Sequence, residues 1–306
     1  MRNKCDTVLY YAMTPLHIGI GRAPGTVDLP ILRDLYGIPY LPGSSLKGTI
    51  KSACTFLLGE RECWETYGRD VGSREPESIS GVVVTDAPLL FYPARFETVA
   101  GERPVRLGYV SSPLQLYRAA DLLEACGHAK LTEIAARLRD MADNFNGGNG
   151  NGTQLVNGVA VDGQDLEIIA GDHKLGPILA ALGSIGHVPK YLSGRIALVS
   201  DSRFRDVVEA GLIRLTRVAL DYKTKTVREG HLWSEEYVAE GAVFVGAFMY
   251  RDNSLRRAET SRKTHLGVIE RAGRLLFVGG KETIGKGIVR LLTMGCGPGC
   301  PPSGEG

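Results

Sequence analysis

Strand-like and helical segments alternate along most of this chain, and two glycine-rich loops punctuate the alternation near its two ends. Such an order implies a mixed α+β fold. Residues 7–14 (TVLYYAMT) are β-branched and aromatic and stop at Pro15, as a strand opening into a loop does. Gly19, Gly21, Pro24, Gly25 and Pro30 punctuate that loop, and Pro42-Gly43-Ser44-Ser45 then gives a cap signal before a helix over 46–58. Residues 82–92 read as strand, Ser112-Pro113 as a helix start, and 131–142 as helix. A Gly/Asn tract at 144–158 (NFNGGNGNGTQLVNG) is too polar to pack and reads as a flexible loop. Beyond it come a short helix over 176–186, a strand over 195–200 and a helix over 201–210 capped by Asp201. Residues 213–221 and 227–237 flank a Lys/Thr turn and make a hairpin, and 243–250 adds an apolar strand. A last helix and a strand at 274–278 lead into the second glycine-rich loop, 279–287 (GGKETIGKG), and on to 288–293.

With 43% hydrophobic and 23% charged residues, 306 residues can bury one large core or two modest ones. A single domain over 1–306 is expected, with a flexible tail at 295–306. No apolar run approaches the roughly 20 residues that span a bilayer, and residues 1–4 lead into a strand rather than a signal peptide. No membrane partner is therefore expected, and the expected address is the cytoplasm. Cys5, Cys54, Cys63, Cys126, Cys296 and Cys300 are too sparse for a disulfide scaffold and form no CxxC pair, so reduced thiols are expected. Cys296 and Cys300 supply two thiolates in a Gly/Pro tail, short of a zinc set.

The net charge of +2 points to no partner by itself, but the charge is unevenly spread. Residues 1–51 carry six Lys/Arg against three Asp/Glu and residues 251–290 ten against four, which leaves the remainder net acidic. If the two ends meet in the fold they form a basic surface suited to a polyanion; otherwise they are solvated charged faces.

Glycine lets backbone approach a ligand closely and present N–H groups, so both glycine-rich loops suit phosphate. Gly43-Ser44-Ser45-Leu46-Lys47-Gly48 sits at a helix start, where N–H groups, the helix dipole, two hydroxyls and a lysine converge. Neither loop has the GxxxxGK[ST] spacing, so nucleotide hydrolysis is unsupported. Taken singly, each loop is equally readable as a tight turn.

The combination is more specific. Thr14-Pro15-Leu16-His17-Ile18-Gly19, then Val27-Asp28-Leu29-Pro30-Ile31, then residues 38–48 (IPYLPGSSLKG) and the GGxxTxGxG form at 279–287, resemble the RAMP superfamily of CRISPR proteins. Residues 217–237 (RVALDYKTKTVREGHLWSEEY) are similar to Cmr-type, type III-B backbone subunits. The resemblance runs nearly end to end. It implies a ferredoxin-like (RRM-like) core with insertions and a protruding, thumb-like β-hairpin over 213–238. It implies a subunit that binds CRISPR RNA, stacks with copies of itself in a helical backbone beside other effector subunits, and cuts guide-paired single-stranded target RNA at regular intervals. A divalent cation such as Mg²⁺ is implied, weakly bound and completed by RNA phosphate.

Residue by residue, the resemblance puts Asp28 at the cleavage position, as catalytic group and metal ligand, with His17, Glu235 and Tyr237 as catalytic helpers. Arg33, Ser44, Ser45, Lys47, Lys51, Trp233, Gly280, Thr283 and Lys286 fall at RNA-contacting positions. Chemically, RNA breaks when a 2′-OH is deprotonated in line with its neighbouring phosphate. Asp28 could take that proton or hold the metal ion, and the sequence leaves both open. Without the resemblance, Asp28 reads as a turn former and His17 as a hydrogen-bonded structural residue. Trp233 and Tyr237, four apart on a strand, share a face and could either stack on bases or pack in the core. A non-catalytic structural RAMP subunit and a precursor CRISPR RNA processing nuclease are the competing functions.

Overall fold

The computed structural model describes residues 4–69, 79–97, 106–127, 129–145, 153–155, 160–161, 168–170, 196–251 and 255–294. In chain order these form β1 (Lys4–Ala12), β2 (Tyr40–Leu41), α1 (Gly43–Leu58), α2 (Glu60–Tyr67), β3 (Val82–Val84), β4 (Ala87–Glu97), β5 (Arg106–Ser111), α3 (Pro113–Ala125) and α4 (Ala129–Asp143). There follow β6 (Thr153–Leu155), β7 (Ala160–Val161), β8 (Ile168–Ala170), β9 (Ile196–Val199), α5 (Asp201–Gly211), β10 (Ile213–Leu220), β11 (Val227–Tyr237), β12 (Val243–Tyr250), α6 (Leu255–Arg271), β13 (Leu275–Phe277) and β14 (Ile288–Met294). The expected helix at 176–186 and the tail with Cys296 and Cys300 lie outside the described residues.

A mixed sheet organises these elements. β1 lies between β12 and β14, antiparallel to both, and β3 and β4 pair antiparallel with β12. The order β14-β1-β12-β3 therefore joins the first, middle and last parts of the chain in one layer. β12 (VFVGAFMY) is apolar along its length, apart from the Tyr250 hydroxyl that donates to Asp6 Oδ2 at 3.0 Å, because the sheet is covered on both faces. Val8, Tyr10, Phe244 and Phe248 enter one core with Leu46, Ile50 and Cys54 of α1 and Val268 and Ile269 of α6. Leu9, Val243 and Val245 enter a second core with Leu116, Ala119, Ala120 and Leu123 of α3 and Ala135 and Leu138 of α4. The i, i+4 spacing in α1 and i, i+3, i+4, i+7 spacing in α3 turn one stripe of each helix to the sheet. Because β1 and β14 are neighbours, the two basic ends of the chain do meet.

Four expectations need correction. The cysteines of the described residues are paired, Cys5 with Cys126 and Cys54 with Cys63. Their Cα atoms stand 4.9 and 6.0 Å apart, within disulfide reach, and the first pair is 121 residues apart in sequence, where spacing gives no signal. Inside the Gly/Asn tract, Thr153–Leu155 is a strand, pairing with β8 and β9. Helix α5 is capped by Ser200, whose hydroxyl accepts from Arg203 N, rather than by Asp201, which is its first residue. Helix α1 begins at Gly43 with Pro42 as its cap, and the Gly43 N–H donates to Asp86 Oδ1 at 2.7 Å, so a carboxylate already takes one of the helix-start donors.

The hairpin β10–β11 stands apart as its own two-stranded sheet. Its turn is fixed by Asp221, whose side chain accepts from the N–H groups of Lys223 and Thr224. Among the described residues no helix is long and apolar enough to cross a membrane.

Candidate functional site

Three segments meet at the base of the hairpin: the loop after β1, the first-out residues of β11, and the glycine-rich loop before β14. The loop after β1 is ordered by pairing, since Leu32 N donates to Ile18 O at 2.7 Å and Ile20 N to Pro30 O at 3.3 Å. Residues 28–30 then run alongside β11, with Leu29 N donating to Ser234 O and Glu236 N to Leu29 O.

Asp28 is exposed but held. Its Oδ2 accepts from Ser234 N at 2.7 Å and from Ser234 Oγ at 2.8 Å, while Asp28 N–H donates back to Ser234 Oγ at 2.9 Å. The Ser234 backbone and side-chain donors, with the charge of Arg22, hold its carboxyl below the usual aspartate range. Asp28 is thus an oriented carboxylate that stays ionised at neutral pH, better fitted to attract a cation than to take up a proton.

His17, Glu235 and Tyr237 form a separate, buried cluster. The His17 ring lies 5.4 Å from the Tyr237 ring, and its Nδ1 is 2.8 Å from the carbonyl oxygen of Glu236. Two glycines make room for it. A Cβ on Gly19 would stand 2.6 Å from His17 Nε2, and one on Gly279, itself at φ +85°, would stand 2.3 Å from the His17 carbonyl oxygen. The Gly280 N–H donates to that carbonyl at 2.9 Å, so the glycine-rich loop is fastened to the histidine segment.

Glu235 is fully buried, yet charged. Burial pushes its pKa up, but hydrogen bonds from Lys281, Tyr237 and Trp233 and the Lys281 charge outweigh burial and bring it down to about 2. Its Oε1 accepts from the Trp233 indole at 2.7 Å and from Lys281 Nζ; its Oε2 accepts from the Tyr237 hydroxyl, with Arg217 Nε at 3.6 Å. Burial and the bond to Glu235 push the Tyr237 hydroxyl up to about 12. Glu235 is therefore ionised at neutral pH and held by these neighbours. Tyr237 has the packing role of the two open to it, while Trp233 is half-buried and turns its indole N–H inward.

Among the described residues no hydrogen bond or ring contact joins Asp28 to His17, Glu235 or Tyr237. Side chains alternate along β11, so Asp28 grips it by Ser234, one residue from Glu235 and on the other set of side chains. Arg33 sits behind the site, its guanidinium 2.9 Å from buried Glu236 and 3.2 Å from Glu209; Arg214 reaches the same two carboxylates. Lys286 Nζ stands 5.5 Å from the centre of the Tyr237 ring, and Gly280 and Thr283 are exposed beside it. Ser44, Ser45, Lys47 and Lys51 lie on the first turns of α1, which Thr49 ties to the neighbouring strand by donating to Phe277 O at 3.0 Å. Burial and the nearby charges of Lys51 and Arg251 lower the Lys47 pKa, a mark of crowded positive charge drawn from both ends of the chain.

The RAMP superfamily profile matches residues 10–290. The chain belongs to the RAMP superfamily. Among relatives of this RAMP protein, the CRISPR system Cmr endoribonuclease Cmr4 of Pyrococcus furiosus is 30% identical over 293 residues, covering 94% of this chain and 95% of the relative. The CRISPR system CMR subunit Cmr4 of Saccharolobus solfataricus is 32% identical over 298 residues, covering 92% and 93%. The RAMP protein also superposes on a chain of the type III-B Cmr-beta complex bound to cognate target RNA, with TM-score 0.77 and 26% identity over 95% of this chain and 97% of that one. Oligomeric Cmr4 from Pyrococcus furiosus shares the fold at TM-score 0.64 and 24% identity, over 95% and 97%.

Ser234 and Glu236 complete the site of this RAMP protein with Lys281, and the first two are unmarked in its sequence. Ser234 and Glu236 sit in a polar stretch, SEEY, where alternation alone does not say which side chain meets which neighbour. Lys281 had a signal of its own, a lysine directly after two glycines in a loop whose backbone turns on glycine.

Proposed function

We propose that this RAMP protein is a CRISPR RNA-binding backbone subunit of a Cmr-type, type III-B interference complex and an endoribonuclease that cuts guide-paired target RNA at regular intervals. The relative named Cmr endoribonuclease and the target-RNA-bound Cmr-beta complex support the activity, the RNA and the neighbouring subunits. The observation that carries the reading is Asp28: an exposed, ionised carboxylate fixed at the root of a protruding hairpin, with the charge of Arg22 nearby. The core is read as ferredoxin-like, supported by the succession β1-α1-β3-β12-α6-β14 and the strand order β14-β1-β12-β3, with residues 85–242 as insertion. We place its work in the cytoplasm, alongside copies of itself on one guide.

In cleavage the target 2′-OH gives its proton to solvent, its oxygen attacks the adjacent phosphorus in line to form a 2′,3′-cyclic phosphate, and the 5′ oxygen of the next nucleotide leaves and takes up a proton from solvent. Asp28 supplies oriented negative charge at that point. Among the described residues no group of three or more His, Cys, Asp or Glu could hold a metal ion, so on the protein side Asp28 would hold a divalent cation, with RNA phosphate oxygens completing the shell. A cation bound there would polarise a phosphoryl oxygen. His17 and Tyr237 pack together in the buried cluster at the hairpin base, where Glu235 accepts from the Tyr237 hydroxyl.

The test is Asp28→Asn in an assembled complex with guide RNA, end-labelled target and saturating Mg²⁺. Cleavage is expected to vanish while affinity for guide and target stays within about threefold. Wild-type rates in the variant remove Asp28 from the mechanism. No cutting by the wild-type complex leaves a structural subunit, and a single cut in a repeat-derived RNA leaves a processing nuclease.

A further inference from the structure

Within residues 279–287 the backbone enters the left-handed region four times, at Gly279 (φ 85°), Lys281 (φ 71°), Gly285 (φ 75°) and Gly287 (φ 81°). Three of these positions carry the residue that adopts that conformation freely. The fourth carries a lysine, for which it is costly. The backbone has no use for a side chain there, so the reason for lysine lies at its far end.

That end is Glu235. Lys281 Nζ bonds Glu235 Oε1, with the lysine side chain 28% exposed and the glutamate 1%. The other groups that approach this carboxylate, Trp233, Tyr237 and Arg217, all belong to the hairpin. Lys281 is the one among them that comes from the glycine-rich loop. The same loop holds the His17 carbonyl through Gly280 N–H and places Lys286 over the Tyr237 ring. Lys281 therefore closes a ring of contacts: histidine segment to loop, loop to Glu235, Glu235 to Tyr237, and Tyr237 back to His17.

We infer that Lys281 is a positioning residue for target cleavage, latching the glycine-rich loop onto the hairpin base through Glu235 and so holding β11, the strand whose Ser234 fixes Asp28, to the His17 segment. The inference rests on the function proposed above. It assigns Lys281 no contact with the reacting atoms. Its effect passes through Glu235, so an arginine, which can also pair with a carboxylate, preserves it in large part.

The experiment compares wild type, Asp28→Asn, Lys281→Gly and Lys281→Arg in the assembled complex, reading single-turnover cleavage of end-labelled target, target Kd and Tm. Lys281→Gly removes the ammonium while relieving the left-handed strain, which guards against simple unfolding. Its cleavage rate is expected to fall about 30-fold, with Kd within about threefold, because small misplacements of the strand that fixes Asp28 act on rate. Its Tm is expected to stay within about 4 °C of wild type. Lys281→Arg should recover the rate to within about fivefold of wild type. A Lys281→Gly rate within about twofold of wild type overturns the inference, as does a loss matched by equal losses in Kd and Tm, or an arginine variant as slow as the glycine one. If the wild-type complex does not cut, or Asp28→Asn cuts as well as wild type, the proposed function falls and the inference with it. If those two controls behave and Lys281→Gly cuts normally, only the inference falls.

Discussion

Replacing Glu235 by Gln tests whether the buried carboxylate is held by charge. The substitution keeps shape and one acceptor oxygen and removes the negative charge that Lys281 and Arg217 face. Folded Glu235 has a pKa of about 2 against an ordinary value of 4.5. Such a depression corresponds to on the order of 3 kcal/mol of stability at neutral pH. Lys281 and Arg217 are 28% and 38% exposed and can turn to water once the carboxylate is gone, so a net loss of about 2 kcal/mol is expected at pH 7. Because the folded pKa is depressed, this stability is fully present above pH 4.5 and is lost as pH falls through 4.5 toward 2. The assay is urea unfolding of wild type and Glu235→Gln over that range, taking the difference at each pH so that the other acids cancel. The difference should shrink steadily below pH 4.5. A difference that stays constant from pH 7 to pH 2.5, or one under about 0.5 kcal/mol at pH 7, refutes the charged latch.

Neutralising Lys47 and Lys51 should weaken RNA binding evenly across sequences and flatten its salt dependence by about one to two units of slope, measured by titration at several salt concentrations; a sequence-selective loss contradicts phosphate contact. Copies repeated head to tail along one guide should cut target RNA into an evenly spaced ladder that ignores base identity, because one rotation and translation recurs at each interface. Mixing wild-type and Asp28→Asn subunits should dim every band in proportion without moving any, and bands that shift between unrelated targets of equal length rule the arrangement out.

The secondary structure was legible where a single face decides it. The continuous apolar run of β12 and the heptad-like stripe of α3 name their own partners' geometry. The hairpin was legible from its turn, because Asp221 and the Lys/Thr residues behind it fold locally. What escaped the sequence is set by long-range pairing. Cys5 meets Cys126 only because α3 lies across the sheet from β1, and Ser234 meets Asp28 only because residues 28–30 lie beside β11. Arg33 reads as a phosphate contact until Glu209 and Glu236 are seen to surround it, with burial opposed by those two carboxylates in setting its pKa. Glu235 is likewise ionised by donors that include Lys281, 46 residues away in sequence, where spacing gives no signal.

The position of β1 has a consequence for how this chain reaches its native state. β1 ends at Ala12, yet β12, which flanks it, begins at Val243, and β14 begins at Ile288. At synthesis rates of about 5–20 residues per second, β1 and its first flanking strand emerge roughly 10 to 50 s apart. Over that interval Leu9, Tyr10 and the rest of the strand's apolar side chains have neither hydrogen-bonded neighbour. The helical pair α3–α4 and the hairpin β10–β11, built from contacts close in sequence, can form in the meantime. Closure of the central sheet is then the last event, and it brings the glycine-rich loop onto the His17 segment in the same step, because that loop lies between β13 and β14. A chain stalled before residue 279 would carry His17 and the hairpin but not the loop that joins them through Gly280 and Lys281, so the candidate site is assembled only as the fold is completed.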